Sequence, residues 1–129
     1  MRINITAGDF LNNFLCKKYA NEVFIPFCEA MNKGTYSFKL FSYDFCVQRS
    51  KIHNVTLDEY LFKLKGFLDF INNIKEYNEV ILWFGDDAFC NENSKIVVKT
   101  LKEYNYNGTL ILNTVDENTG EIVNSRQLV

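Results

Sequence analysis

At 129 residues the chain has the length of one domain, enough to withdraw roughly two-thirds of its unfolded surface from water. The 14 basic and 16 acidic residues nearly balance, to a net charge of -2. That argues against nucleic-acid binding, which needs a concentrated basic surface. No apolar run approaches the length of a membrane span, and no signal-like apolar core follows Met1-Arg2. The four cysteines, Cys16, Cys28, Cys46 and Cys90, include no C-x-x-C pair, so neither a zinc site nor a redox motif is expected. The expectation is a cytoplasmic protein with reduced thiols, in which Cys46 is a small core residue. Twelve Phe and seven Tyr predict an aromatic core.

Arg2 to Thr6 reads as a short β-branched strand closed by Ala7-Gly8-Asp9. Phe10, Leu11, Phe14 and Leu15 then fall at helical spacing, with Asp9 as the natural N-cap. Glu22 to Phe27 reads as a second strand. It holds the chain's one proline, Pro26, and therefore belongs at a sheet edge or ends there. Strand, helix and strand make a right-handed βαβ unit. After an irregular stretch hinged at Gly34, a short helix is expected over about Ser42 to Ile52. Thr56 with Glu59 then forms a capping box. Leu57, Tyr60, Leu61, Leu64, Phe67, Leu68, Ile71 and Ile74 share one face and predict one long helix.

Glu79 to Phe84 is an apolar run that ends at Gly85-Asp86-Asp87, as a strand covered on both faces would. A helix with Ile96, Val97, Leu101 and Tyr104 follows, then the strand Thr109 to Val115 and a hairpin loop over Asp116 to Gly120. Residues 121–129 either return as an antiparallel edge strand or fray. The expected fold is one α/β domain over 1–129. It is a three-layer, Rossmann-like open sheet, mainly parallel, in the order 2-1-3-4.

In such a sheet, ligands bind beyond the carboxyl ends of the strands at the switch between strands one and three. Gly8-Asp9 and Gly85-Asp86-Asp87 converge there. For Asp9 and Asp87 helix capping is the preferred reading. Asp86 cannot share that cap, and adjacent carboxylates repel unless something positive is present. A divalent cation, with Asp86 as its ligand, a substrate amine or an arginine would supply that charge. Arg49 is the arginine best placed, its planar fork suiting carboxylate or phosphate. Glu29 joins the same rim. His53, the one histidine, is a candidate proton carrier, although a lone histidine is more often structural. Neither G-x-G-x-x-G, a Walker motif nor a G-x-S-x-G elbow is present.

Ile5-Thr6-Ala7-Gly8-Asp9-Phe10-Leu11, Pro26-Phe27-Cys28-Glu29-Ala30-Met31 with Gly34, Arg49 with His53, and Leu82-Trp83-Phe84-Gly85-Asp86-Asp87-Ala88-Phe89-Cys90 together resemble the bacterial family named domain of unknown function 1835. The resemblance runs from the first strand to about Tyr104. It points to Asp9, Glu29, Arg49, Asp86 and Asp87 as a shared polar crevice. Where the family has Gln after Phe-Cys, this chain has the shorter Asn91. The resemblance also implies a further C-terminal region in many members, and it names no reaction.

Three readings of function are expected from these residues. The first is binding of a small polar molecule, bearing phosphate or an amine, in the crevice of Gly8, Asp9, Glu29, Arg49, Gly85, Asp86, Asp87 and Asn91. Asp86, Arg49 and His53 are the catalytic candidates if the domain is an enzyme. The second is a non-catalytic sensor or assembly module, in homo-oligomeric form, with Tyr36, Phe38, Phe41, Tyr43 and Phe45 as its partner surface. A third is a remnant of an enzyme, suggested by Asn91.

Overall fold

The computed structural model describes residues 1–128. β1 (Arg2–Thr6), α1 (Asp9–Lys18) and β2 (Phe24–Pro26) form the opening unit. α2 (Tyr43–Ile52), α3 (Leu57–Lys63) and α4 (Lys65–Asn72) fill the excursion before β3 (Glu79–Phe84). α5 (Ala88–Glu103), β4 (Thr109–Val115) and β5 (Ile122–Leu128) complete the chain. The sheet order is β2-β1-β3-β4-β5. The first four strands run parallel, and β5 pairs antiparallel with β4 as the edge. Thr6 stands opposite both Pro26 and Trp83, so β1 and β3 are side-by-side neighbours, as the strand-order reading requires.

Alternation along β1 divides its residues between two faces. Ile3 and Ile5 join Val80, Leu82 and the apolar stripes of α2 to α5 in the larger core. Asn4 and Thr6 point to the opposite face, where α1 packs Leu11 and Leu15 against Phe24, Trp83 and Val115. The two crossovers leave the sheet's centre in opposite directions. Right-handed connections must then put α1 and α5 on opposite faces. The polar atoms on the α1 face are paired: Asn4 accepts from Trp83 Nε1 at 2.8 Å and Thr6 donates to Asn12 at 2.9 Å.

Four expectations need correction. Asp9 is the first residue of α1 and makes no capping bond; Gly8, at φ +153°, holds the N-cap position. The second strand is only Phe24–Pro26; the Phe27 N–H still reaches the Thr6 carbonyl at 2.9 Å, so Pro26 lies where its missing N–H faces the open edge. The long helix is broken at Leu64 (φ -102°, ψ 10°), where the Leu64 N–H reaches Tyr60 at a long 3.3 Å. Gly66, a poor helix former packed against Ile25, follows two residues later. The break lets α3 bury Tyr60 while α4 buries Phe67, Phe70 and Ile71.

The last correction concerns the aromatic surface. Phe41 and Phe45 are core residues, 6% and 0% exposed, and with Phe27 and Phe67 they form a packed ring cluster with centroids 4.7 to 5.8 Å apart. Of the five proposed surface aromatics only Phe38 and Tyr43 are exposed. Among the described residues no helix is long and apolar enough to cross a membrane.

Candidate functional site

A crevice of about 540 Å3 opens at the carboxyl ends of β1 and β2, beneath α3. Ala7-Gly8-Asp9 line it from β1, and Phe27-Cys28-Glu29-Ala30 from β2. His53 and Val55 come from the turn between α2 and α3; Glu59, Tyr60 and Lys63 come from α3. From beyond β3 only Phe89 takes part. The hollow therefore lies between β1 and β2, one strand away from the expected position. The fifty-residue excursion accounts for the shift: α2 and α3 fold back over the β2 end and build the wall there.

Glu29 is the centre of this wall. Its Oε1 accepts from Arg49 Nη2 at 3.0 Å and from the Ala30 N–H at 2.7 Å, and His53 Nε2 stands 2.5 Å from the same oxygen. Oε2 accepts from Arg49 Nε at 3.0 Å and from the Tyr60 hydroxyl at 2.5 Å. Burial pushes the Glu29 carboxyl upward, but bonds from Arg49, Tyr60 and Ala30 outweigh it and hold the group below the usual carboxylate range. Burial, then the adjacent Glu29 charge, raises the Tyr60 hydroxyl far above its ordinary value, so it remains a hydrogen-bond donor.

Arg49 is fully buried and faces Glu29, with further bonds to the carbonyls of Thr35 and Ala30 at 3.0 Å. It forms no ion pair with Asp9, Asp86 or Asp87 among the described residues. The expectation that Arg49 receives a ligand anion, or neutralises the acids after β1 and β3, is corrected accordingly. Its guanidinium serves Glu29.

The expected acids are divided. Asp9 lines the crevice and accepts from the Cys28 thiol at 3.5 Å. Burial first, and then the Asp9 charge, pushes that thiol up to about 12, which leaves it a poor nucleophile. Asp87 caps α5, accepting from the Cys90 N–H at 2.8 Å. Asp86 is exposed, and its carboxylate has no hydrogen bond or ion pair among the described residues. Gly8 lines the crevice; Gly85 does not. A Cβ on Gly85 would stand 3.0 Å from the Glu117 carboxylate, so its bareness admits Glu117 to the end of β3.

Glu117 thereby joins Asp87 and Cys90, and one ligand atom from each lies within 4.8 Å of the others. Two carboxylates and a thiol are a donor set suited to a divalent cation. In this structure the Cys90 thiol donates to Glu117 at 3.4 Å. Burial, with the Glu117 and Asp87 charges, raises the thiol to about 12, against a lowering bond from Gly85. Asp86, the expected cation ligand, is not among these three residues.

Asn91 is exposed and only touches the Asp86 carbonyl, at 3.5 Å. Asn93, fully buried two residues on, is the amide that matters to the crevice. It donates to the Glu29 carbonyl at 2.7 Å and accepts from the Met31 N–H at 2.9 Å, tying α5 to the loop after β2. Sequence reasoning missed Asn93, which carries no motif. It also read Tyr60 as a core position and Glu59 as a cap. Both readings hold, and both side chains nevertheless line the crevice.

No protein-family model, curated protein or solved structure matches this chain. The site is therefore read from its own geometry.

Proposed function

We propose that the crevice between the ends of β1 and β2 binds a small polar molecule bearing an amine. The observation that carries this reading is a charged rim built on a rigid, fully hydrogen-bonded frame. Glu29 and Arg49 neutralise one another within the protein. The rim then holds the carboxylates of Asp9 and Glu59 against the single ammonium of Lys63, an excess of negative charge. Lys63 gives a neighbouring anionic group of the same molecule a partner. A volume of about 540 Å3 suits a metabolite-sized ligand. Kinship with the domain of unknown function 1835 family, suggested by the motifs, belongs to the same proposal and adds no reaction to it.

Amide NMR spectra recorded while ethylamine, ethanolamine, glycine and inorganic phosphate are added separately test the reading. Saturable shifts at Gly8, Cys28 and Ala30 are expected with the amines and should weaken in Asp9→Asn and Glu59→Gln. Phosphate alone giving those shifts, or no probe giving them, would reject it.

A second reading, a partner-binding module, is favoured by one observation. Phe10, Phe62 and Phe89 are 73%, 79% and 40% exposed and line this crevice or the hollows beside it. Large exposed phenylalanines grouped around one opening are uncommon on a surface without a partner. Light scattering on wild type and Phe62→Ser tests whether that partner is a second copy.

A further inference from the structure

We infer that His53 Nδ1 is the crevice's acceptor for a ligand hydroxyl, set in place by Glu29; the inference rests on the crevice being a ligand site. It follows from where the protons must lie. Both protons of Arg49 Nη2 are committed, one to Glu29 Oε1 and one to the Ala30 carbonyl. The Glu29 carboxylate, held ionised, can only accept. The contact of 2.5 Å between His53 Nε2 and Glu29 Oε1 therefore needs a proton on Nε2. The 3.2 Å approach of Arg49 Nη2 to the same nitrogen is then donor beside donor, without a bond of its own. In the neutral ring the lone pair resides on Nδ1.

That lone pair has no partner among the described residues, where no hydrogen bond involves Nδ1. The side chain is 19% exposed and lines the crevice. The Glu29 contact also sets the ring's orientation. His53 caps α2, its N–H bonded to the Arg49 carbonyl at 3.0 Å, and its plane lies within 16° of the Tyr60 ring. An acid that fixes a histidine tautomer and leaves the other ring nitrogen unbonded is the arrangement used by general bases. Here it makes Nδ1 an oriented acceptor for an O–H group and Glu29 its positioning residue. The ligand class narrows to an amine that also carries a hydroxyl. The charged groups around the ring are Glu29, Arg49 and, on the rim, Asp9, Glu59 and Lys63.

The chain's single histidine makes the test direct. In protein labelled with 15N-histidine, the two ring nitrogens report their protonation separately. The expected spectrum at neutral pH has a proton on Nε2 and a free lone pair on Nδ1. In Glu29→Gln this preference should collapse towards a mixture; Tyr60→Phe, which leaves the Glu29–Arg49 pair intact, should retain it. Ethanolamine should move the Nδ1 resonance, whereas ethylamine should shift the amides of Gly8 and Cys28 and leave Nδ1 in place. A proton on Nδ1, or equal effects of the two amines on that nitrogen, would overturn the role of His53 while leaving the crevice as a binding site. No amide shift with either amine would overturn both.

Discussion

Glu29 and Arg49 form a two-pronged ion pair with no exposed side-chain surface, Nε to Oε2 and Nη2 to Oε1, each at 3.0 Å. Twenty residues separate them in the chain, and the whole crevice wall is organised around their contact. A pair of this kind is held by geometry, since attraction between the charges must offset the loss of hydration of both.

Removing one partner should therefore be far worse than removing both. Glu29→Gln leaves a buried guanidinium without its counter-charge and should lose about 3–5 kcal/mol of stability. Glu29→Leu combined with Arg49→Met should recover much of that loss. Urea unfolding of the three proteins measures it; a double variant as unstable as the single one would contradict the argument.

The same carboxylate fixes an acid limb in the stability profile. Its pKa is depressed in the folded state, so its contribution is complete above the unfolded value, about 4.3. It is lost progressively as pH falls from there through the folded value. Unfolding midpoints should fall below that pH in wild type and fall less in Glu29→Gln. A midpoint that instead declines towards alkaline pH would have the wrong sign.

The thiols should separate by access. Cys16 is exposed, whereas burial raises Cys28 and Cys90 to about 12 and Cys46 to about 11. Iodoacetamide at neutral pH should label Cys16 first and the half-buried Cys28 more slowly, with buried Cys46 and Cys90 reacting only in denaturant, as peptide mass spectrometry would show.

Asn93 and Asn91 offer a matched pair on one helix. Asn93→Ala strands the buried Glu29 carbonyl and the Met31 N–H, with a loss of about 1–3 kcal/mol. Asn91→Ala should stay within about 0.5 kcal/mol of wild type. Thermal or urea unfolding compares them directly.

Phe41→Ala should cost about 3–5 kcal/mol, because the ring meets Phe27, Phe45 and Phe67. Phe41→Asp should leave an unfolded chain rather than a dissociated one, which circular dichroism distinguishes.

Much of the frame was legible in the sequence. β1 and β3 lie where hydrophobic runs bounded by glycine and acid place them, and the excursion before β3 dictates a 2-1-3-4 order. These are signals of local pattern and of right-handed connection, which act through few residues. The break at Leu64 was hidden because Leu57 to Ile74 keep one apolar stripe, and the stripe does not record the loosened bond at Leu64. At the candidate site, Gly8, Asp9, Glu29 and His53 were legible as polar residues at strand and helix ends. Their grouping was not, since whether Arg49 faces ligand or protein depends on how α2 lies over β2. Glu117, which joins Asp87 and Cys90, arrives from a loop with no motif.

Every side chain bonded to the Glu29 carboxylate comes from residues 30–60, while Asn93 merely clamps the neighbouring backbone. The acid, its counter-ion and its imidazole thus travel as one contiguous cassette following a short edge strand. An insertion or deletion between residues 30 and 60 would therefore disturb the ion pair and the imidazole together.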